Sequence, residues 1–483
     1  MKFLWKRLFR RQNHDSNDAG ACFNDAQRLT NEGHFVEAEQ MYEKAKRLGF
    51  ANPVLEHYYG CLLDRMNEPL PKVLEHWAKA VSQDFPGVLG TFSDIVMRLV
   101  FRGDRPEANR WTNRAAEAYQ RSQSQGKTRY ILEDYTSVIG HLCNLDFYIK
   151  AIKLGWKNEI SRTQIVRSKK CVNNVLLDYW GEYLEVIAED DPRLPSQEER
   201  QSLQEPMGFN LLKGGAYHFW ETWHLVQAEW EKQGRGPLLQ ISEQHRSAGA
   251  EILRKNFPEA EKKWFVCIHA REEGFHRDQK GLYQTTRNAD IETYRQAVDL
   301  IHDAGGTVIR VGDASMRDFS MPGVWDYARS SAKSSVMDIF LCGSCRFYLG
   351  SASGLCHVPP LFGVPVGLTN WVPMGVRSSY GADRFIPKTY IWRDSGRIFT
   401  LREMMDPPYH HWQFPSFFEK AGVDIIDNTP EQVADLAYEM LSEPSGLSSE
   451  QEMFEVLSRK EPLCYGKSPI GRTFIQKNAK LLE

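Results

Sequence analysis

Between two apolar runs, Phe347-Tyr348-Leu349 and Val364 to Leu368, the chain carries five small residues, Gly350-Ser351-Ala352-Ser353-Gly354. A strand that ends in such a stretch and passes into a helix brings backbone N–H groups to one place. The hydroxyls of Ser351 and Ser353 join them, at a helix end that favours anions. That is a cradle for phosphate. Pro359 and Pro360 restrict the following helix to little more than its first turns. Small residues after a strand also serve tight packing, so the loop takes its meaning from the other strand ends. In "CIHAREEGFHRD", His269 and Arg271 alternate with apolar positions, so both side chains leave the strand on one side. A guanidinium there suits bidentate pairing with a diphosphate. Arg287-Asn288-Ala289-Asp290 precedes the next helix, and Arg310 with Asp313 ends the next strand in "VIRVGD". Four successive strand ends thus bring polar groups to one rim. For a base that takes a proton from an acceptor hydroxyl, Glu272 and Asp278 follow the His-x-Arg segment, and His141 stands on a turn facing the cleft from an earlier part of the chain. His141 serves equally well as a helix-start or packing residue.

The elements that must position these residues fall into three parts. At 483 residues the chain exceeds one ordinary core, so two or three domains are expected. Residues 1–18 form a basic amphipathic tail, in which Phe3, Leu4, Trp5, Leu8 and Phe9 are interleaved with Lys2, Lys6, Arg7, Arg10 and Arg11. Such a segment lies reversibly on an anionic membrane surface or stays a disordered basic tail. Residues 19–125 have an internal period: Gly33, Ala38, Tyr42 and Ala45 recur as Gly103, Ala108, Thr112 and Ala115, with Val73, Trp77 and Ala80 between. The spacing and the step from Ala45 to Ala80 to Ala115 resemble tetratricopeptide repeats, whose small residues let paired helices pack closely around a groove. After the polar boundary at Arg121, residues 126–240 read as β-α-β-α-β: a strand at "YTSV", a Gly140-His141 turn, a helix, and strands at "TQIVRS" and "LEVIAE". Beyond a hinge at Gly234 to Pro237 the alternation resumes over residues 241–483, with buried strands at "WFVCIHA" and "GTVIRVGD" and a helix capped by Thr429 and Pro430. The fold class is α/β: two Rossmann-like units facing across a cleft, preceded by an all-α helical unit. Ligands of such sheets sit beyond the carboxyl ends of the strands.

Composition narrows the function. With 42% apolar and 25% charged residues and a net charge of -3, the chain is that of a folded protein with no overall electrostatic case for nucleic acid. Nine cysteines without framework spacing suggest reduced thiols and a cytoplasmic setting, with the tail at the inner face of a membrane. Cys342 and Cys345 lack the second pair that a four-ligand zinc site needs. No apolar run approaches the roughly 20 residues of a membrane-spanning helix.

The blocks "HAREEGF", "RNADIETY", "VIRVGDASM", "MPGVWDYA", "KSSVMDIFLCGSCRFYLGSASGL" and "FGVPVGLTNW" resemble, in order, those of a family of bacterial glycosyltransferases that often follow tetratricopeptide repeats. "IGHL" at Ile139 and "SPIGRTF" at Ser468 are similar to that family too, so the resemblance runs from about residue 135 to the end. "SGLCHVPPLFGVPVGL" is similar to the small-loop, histidine, Gly-x-Pro pattern of heptosyltransferases, which adds Gly354 and His357 to the donor site. "HAR" is similar to the His-x-Arg motif of fucosyltransferases that bind a guanosine diphosphate sugar. Ala352 stands where the heptosyltransferase pattern has an aspartate, and Arg271-Glu272 where the fucosyltransferase pattern has two basic residues.

The resemblance implies a GT-B-like enzyme that moves a sugar from a nucleotide diphosphate sugar to a surface glycan, a lipid-linked acceptor or a protein, with no cofactor and no metal. The repeat groove would take a protein partner. Two other readings stand beside it: a non-catalytic scaffold in polysaccharide assembly, and a sugar-nucleotide epimerase, an activity that also occurs on two facing Rossmann-like units.

Overall fold

A computed structural model describes residues 18–83, 85–122, 128–157, 163–273, 285–442, 444–460 and 464–483. The basic tail, Asp18 apart, and Asp278 lie outside the described residues. The chain opens with α1 (Ala19–Glu32), α2 (Phe35–Arg47), α3 (Pro53–Arg65), α4 (Leu70–Ala80), α5 (Val88–Arg102) and α6 (Arg105–Ser122), paired as three hairpins. Asp18 caps α1 by accepting from the Gly20 and Ala21 amides, and Asn52 caps α3 ahead of Pro53. The periodic alanines Ala45, Ala80 and Ala115 are all fully buried. Gly60 shows why small residues are needed: a Cβ there would lie 2.4 Å from the Trp77 indole.

The next part places β1 (Arg129–Ile131), α7 (Ile139–Lys153), β2 (Thr163–Arg167), α8 (Asn174–Trp180) and β3 (Glu185–Ala188) in a parallel sheet of order β1-β2-β3. The first strand falls one segment earlier than expected. Glu133–Ser137 is a 3-10 turn, because the Thr136 and Ser137 hydroxyls donate to the Glu133 and Asp134 carbonyls at 2.8 and 2.6 Å, local bonds that compete with strand pairing. Gly140 and His141 consequently lie in the first turn of α7 rather than in a turn before it. A short α9 (Gln197–Ser202) leads to the hairpin β4 (Phe209–Leu212) and β5 (Gly215–His218), then α10 (Phe219–Lys232) and α11 (Glu243–Asn256).

The larger sheet is parallel and six-stranded among the described residues, in the order β11-β10-β9-β6-β7-β8. Its elements are β6 (Phe265–His269), α12 (Arg295–Asp303), β7 (Thr307–Arg310), β8 (Val324–Trp325), α13 (Ser335–Ser344), β9 (Tyr348–Ser351), α14 (Val358–Leu361), β10 (Val366–Trp371) and β11 (Arg384–Pro387). Beyond it come β12 (Thr389–Trp392), α15 (Leu401–Met405), α16 (Pro415–Ala421), β13 (Val423–Ile426), α17 (Pro430–Ser442), α18 (Ser449–Lys460) and α19 (Arg472–Lys477). The two sheets have three and six strands among the described residues. They share one buried cluster that runs from Ile131 and Leu142 through Ile268 and Leu349.

The helical unit has its own core, yet that core takes in Phe209 and Trp220 from the smaller-sheet part and Val376 and Tyr465 from the larger. Helix α5 reaches both. Near its start, Gly90 and Ser93 abut Gln204 and Gly208. At its far end the Val100 carbonyl accepts from His411 Nδ1 at 3.0 Å, and Gly103 lies against His410 and the Pro408 carbonyl. Elsewhere on the seam Tyr380 donates to Asp146 Oδ2 at 2.8 Å and Lys467 pairs with Glu231 at 2.5 Å. No helix among the described residues is long and apolar enough to cross a membrane.

Candidate functional site

Strand order reverses between β6 and β9, and it is at such a reversal that an open parallel sheet leaves a crevice for a ligand. Here the two strands run side by side with His269 opposite Gly350. A Cβ on Gly350 would sit 2.6 Å from the His269 carbonyl, so the close approach requires glycine. One step further the Arg271 amide donates to Ser351 Oγ at 2.8 Å. The Arg271 guanidinium donates to Asn288 Oδ1, and Arg287 Nε donates to the Ala352 carbonyl at 2.9 Å. Arg271, Arg287, Asn288 and the Ser351–Ser353 loop are thereby brought together. Ser353 Oγ is buried and has no hydrogen-bond partner among the described residues.

Burial pushes the His269 imidazole down to about 4, with Arg310 and Arg271 adding to the effect, while Nδ1 donates to the Val311 carbonyl at 3.1 Å. Burial and then Arg287 push His357 down to about 4 as well. Both rings are neutral at pH 7. Arg287 itself is lowered by burial. The centre of the rim therefore holds guanidinium groups beside neutral imidazoles, an arrangement that favours an anion.

The remaining rim residues form a separate ionic network. Arg310 is fully buried; it donates to Glu272 Oε1 at 3.1 Å, Asp326 Oδ2 at 3.2 Å and the Arg317 carbonyl at 2.5 Å. The second Glu272 oxygen accepts from the Arg317 amide at 2.9 Å, and Arg317 also pairs with Asp290, which accepts from the Glu292 amide. Glu272 thus bridges Arg310 and Arg317, and Arg317 in turn pairs with Asp290. Breaking such a buried pair costs about 3–5 kcal/mol, because it strands a charge. Asp313 belongs to a local turn, where it accepts from the Ser315 amide at 2.8 Å; burial opposes its ionised form and the Ser315 bonds outweigh it, so its carboxyl lies low.

His141 approaches from the smaller-sheet part. Its ring stacks on Tyr135 at 5.0 Å, and burial pushes its imidazole down against the opposing pull of Asp134 and of Asp94 on α5. The first turn of α7 touches the small-residue loop: a Cβ on Gly354 would lie 2.8 Å from Ile139 Cγ2 and 3.0 Å from the Gly140 nitrogen. Replacing Gly354 by Ala is therefore expected to cost about 1–3 kcal/mol by overpacking and to displace the loop. A urea-unfolding midpoint equal to that of the unchanged chain would contradict this contact.

Two features were not read from sequence. Lys388, just past β11, is buried and donates to the Asn288 carbonyl and to Asp427 Oδ1, both at 2.6 Å. Asn370 at the end of β10 has φ 52°, and Asn370 and Asn428 each accept the other's amide, at 2.7 and 2.5 Å. The signal available was the β-prone run "FIPKTYIW", with a lysine after its proline. Asn288, Lys388 and Asp427 line a cleft of about 600 Å³ whose other walls include Arg317, Arg393 and Asp424. Among the described residues no group of three or more His, Cys, Asp or Glu side chains is placed to hold a metal ion. Cys345 Sγ donates to the Cys342 carbonyl.

No protein-family model matches the chain, and no curated protein matches it in sequence. Solved structures do. The iron-containing dodecameric glycosyltransferase TibC from enterotoxigenic E. coli H10407 is 13% identical at a TM-score of 0.29, over 50% of this chain and 57% of TibC. A glycosyl transferase of family 9 from Veillonella parvula is 10% identical at a TM-score of 0.38, over 66% of this chain and 97% of that one. E. coli ADP-heptose LPS heptosyltransferase II is 13% identical at a TM-score of 0.28, over 68% and 82%. All three are glycosyltransferases. The match spans little more than half of TibC's length, and each likeness is distant.

Proposed function

We propose that the chain is a GT-B-like glycosyltransferase that uses a nucleotide diphosphate sugar and transfers the sugar without a metal. The observation that carries this reading is the meeting at the reversal point: Arg271 and Arg287 enclose the Ser351–Ser353 loop. A departing diphosphate gathers negative charge, and preorganised donors aimed at that charge lower the barrier most. Arg271, Arg287 and the loop hydroxyls supply such donors, and Gly354 and His357 shape the pocket behind them. Of the candidate bases, His141 best fits the acceptor side, since its turn abuts the loop and its ring is unprotonated at neutral pH. The three helical hairpins, read as tetratricopeptide-like repeats, would present a glycan, lipid-linked or protein acceptor, with the basic tail at a membrane surface.

The test is a thermal-shift screen of uridine, guanosine and adenosine diphosphate sugars, followed by transfer assays on those that bind. A ligand at about 100 times its Kd adds roughly 2.7 kcal/mol of apparent stability. Binding with turnover to a free sugar or glycoside supports the transferase. Binding without turnover favours a scaffold, and conversion to an epimeric sugar nucleotide an epimerase. No shift with any donor would overturn the reading.

A further inference from the structure

Helices α3 and α5 turn two polar stripes toward each other. His57, Cys61 and Arg65 recur at every fourth residue of α3, and Asp94, Arg98 and Arg102 at every fourth residue of α5, so each set shares one helix face. Contacts join the stripes: His57 Nε2 lies 3.4 Å from Asp94 Oδ2, Arg98 Nε lies 4.0 Å from Asp64 Oδ2, and Arg102 pairs with Asp64 Oδ1 at 2.8 Å.

Arg65 is the anomaly in this cluster. It is partly buried at the end of α3, yet among the described residues its guanidinium has no hydrogen bond and no ion pair. Burial and then Arg98 push its pKa down, against the pull of Cys61, Tyr42 and Asp64. Asp64, the carboxylate among these, is already held by Arg102. Arg98 is little better served, since Asp64 and Asp94 both stand at 4.0 Å and its hydrogen bond runs from Nη1 to the Asp94 carbonyl at 3.3 Å. Three guanidiniums against two carboxylates leave positive charge over. The neighbours register it: burial works to raise the Cys61 thiol, but Arg98 and His57 outweigh it and draw the thiol down. The spot is open to a ligand, because Arg98 keeps 22% and Asp94 21% of their side chains exposed. It also adjoins the acceptor side of the cleft. Asp94 is near enough to His141 to act on its imidazole, and Arg98 stands one turn, about 6 Å, further along α5.

Two guanidinium forks that converge from different helices offer more N–H groups than one carboxylate can accept. A phosphate monoester presents three acceptor oxygens and a charge of about -1.5 to -2, which matches both forks. We infer that Arg65 and Arg98 form an acceptor subsite for a phosphate group, which holds a phosphorylated sugar or a phosphate-bearing lipid headgroup between α3 and α5 with its reacting hydroxyl toward His141. Asp64 and Arg102 are positioning residues behind them. This rests on the proposed transferase reading and names the substrate class which that reading leaves open.

The test uses the full chain with Arg65→Gln and Arg98→Gln. Arg65→Gln removes no bond present in the fold, so it should melt no lower than the unchanged chain, whereas loss of a structural arginine would lower the midpoint. Calorimetric titration uses glucose 6-phosphate, glycerol 1-phosphate and inorganic phosphate, with glucose and glucuronate as neutral and carboxylate controls. It is run with and without uridine, guanosine and adenosine diphosphates, which occupy the donor site. Each variant should bind the phosphate esters roughly 10- to 100-fold more weakly, the loss of one charge-assisted contact, while nucleoside diphosphate affinity stays within twofold. Tighter binding of glucose 6-phosphate points to a phosphorylated sugar and of glycerol 1-phosphate to a lipid headgroup; either supports the subsite. Binding of inorganic phosphate alone, glucuronate bound as tightly as the esters, or variants that bind the esters unchanged would each overturn it. Nucleotide binding without ester binding overturns the subsite and leaves the transferase reading standing. Ester binding that the variants lose, in a chain that binds no nucleotide, upholds the phosphate contact and sinks the transferase reading.

Discussion

Replacing Arg271 by alanine is expected to lower kcat/KM for sugar transfer by about 100- to 1000-fold, or roughly 3–4 kcal/mol, the scale set by removing one preorganised donor from developing negative charge. The loss should fall mainly on kcat, because the departing diphosphate carries more charge in the transition state than in the bound donor. The fold should survive: the loop contact at this position is made by the Arg271 amide, which alanine retains. Arg271→Lys should recover only part of the rate, since an ammonium cannot reproduce bidentate pairing. Donor hydrolysis or transfer at saturating donor, alongside a melting curve, checks this. An alanine variant with normal donor affinity and normal rate would remove Arg271 from the reaction.

Acid should unfold this protein well above the usual carboxylate range. His218, His269 and His410 are all at most 4% exposed. Burial depresses their imidazoles to about 3, about 4 and about 4 respectively. Below the ordinary histidine value near 6.5 the unfolded chain takes up these protons and the native one does not, so stability falls with pH at about 1.4 kcal/mol per unit for each ring. Asp383 works in the opposite sense: burial raises its carboxyl to about 7, against bonds from Ser378 and the Val366 amide. Below pH 7 the native state holds that proton first. These three rings against this one carboxyl leave a net loss of about 3 kcal/mol between pH 6.5 and 5, a large share of the roughly 5–15 kcal/mol typical of a domain. Urea midpoints measured from pH 7.5 to 4.5 should drop steeply, and His218→Gln should flatten the slope. A flat profile would show that these rings are protonated in the folded state.

What the sequence disclosed and what it withheld follow one physical division. Strands β6, β7, β9 and β10 were legible because fully buried parallel strands are short apolar runs with little else to be. The loop from Ser351 to Gly354 was legible because so many small residues in succession have few other uses. Strand β1 was displaced because "YTSV" has the β-branched composition of a strand while its hydroxyls bond locally. Strand β11 escaped notice because a proline closes it and a lysine follows. The partners of Arg310 were hidden for another reason. Alternation along a strand tells which residues share a face, but whether that face meets solvent or a carboxylate such as Glu272, 38 residues away in sequence, is a tertiary fact. Lys388 and Asp427 are likewise 39 residues apart, and nothing local in either announces the other.

Helix α5 spans 15 residues, about 22 Å at 1.5 Å per residue, with its beginning on Gln204 and Gly208 and its end on His410 and His411. A rigid rod fastened at both ends turns two bodies into a triangulated frame. A swing about Gly234 to Pro237 would have to slide one foot of that rod across aromatic packing where Phe101 meets Phe219, Trp220 and Phe414. Helix α5 is in this sense a brace between the two sheet-bearing parts, and a chain trimmed to begin after the helices would lose it.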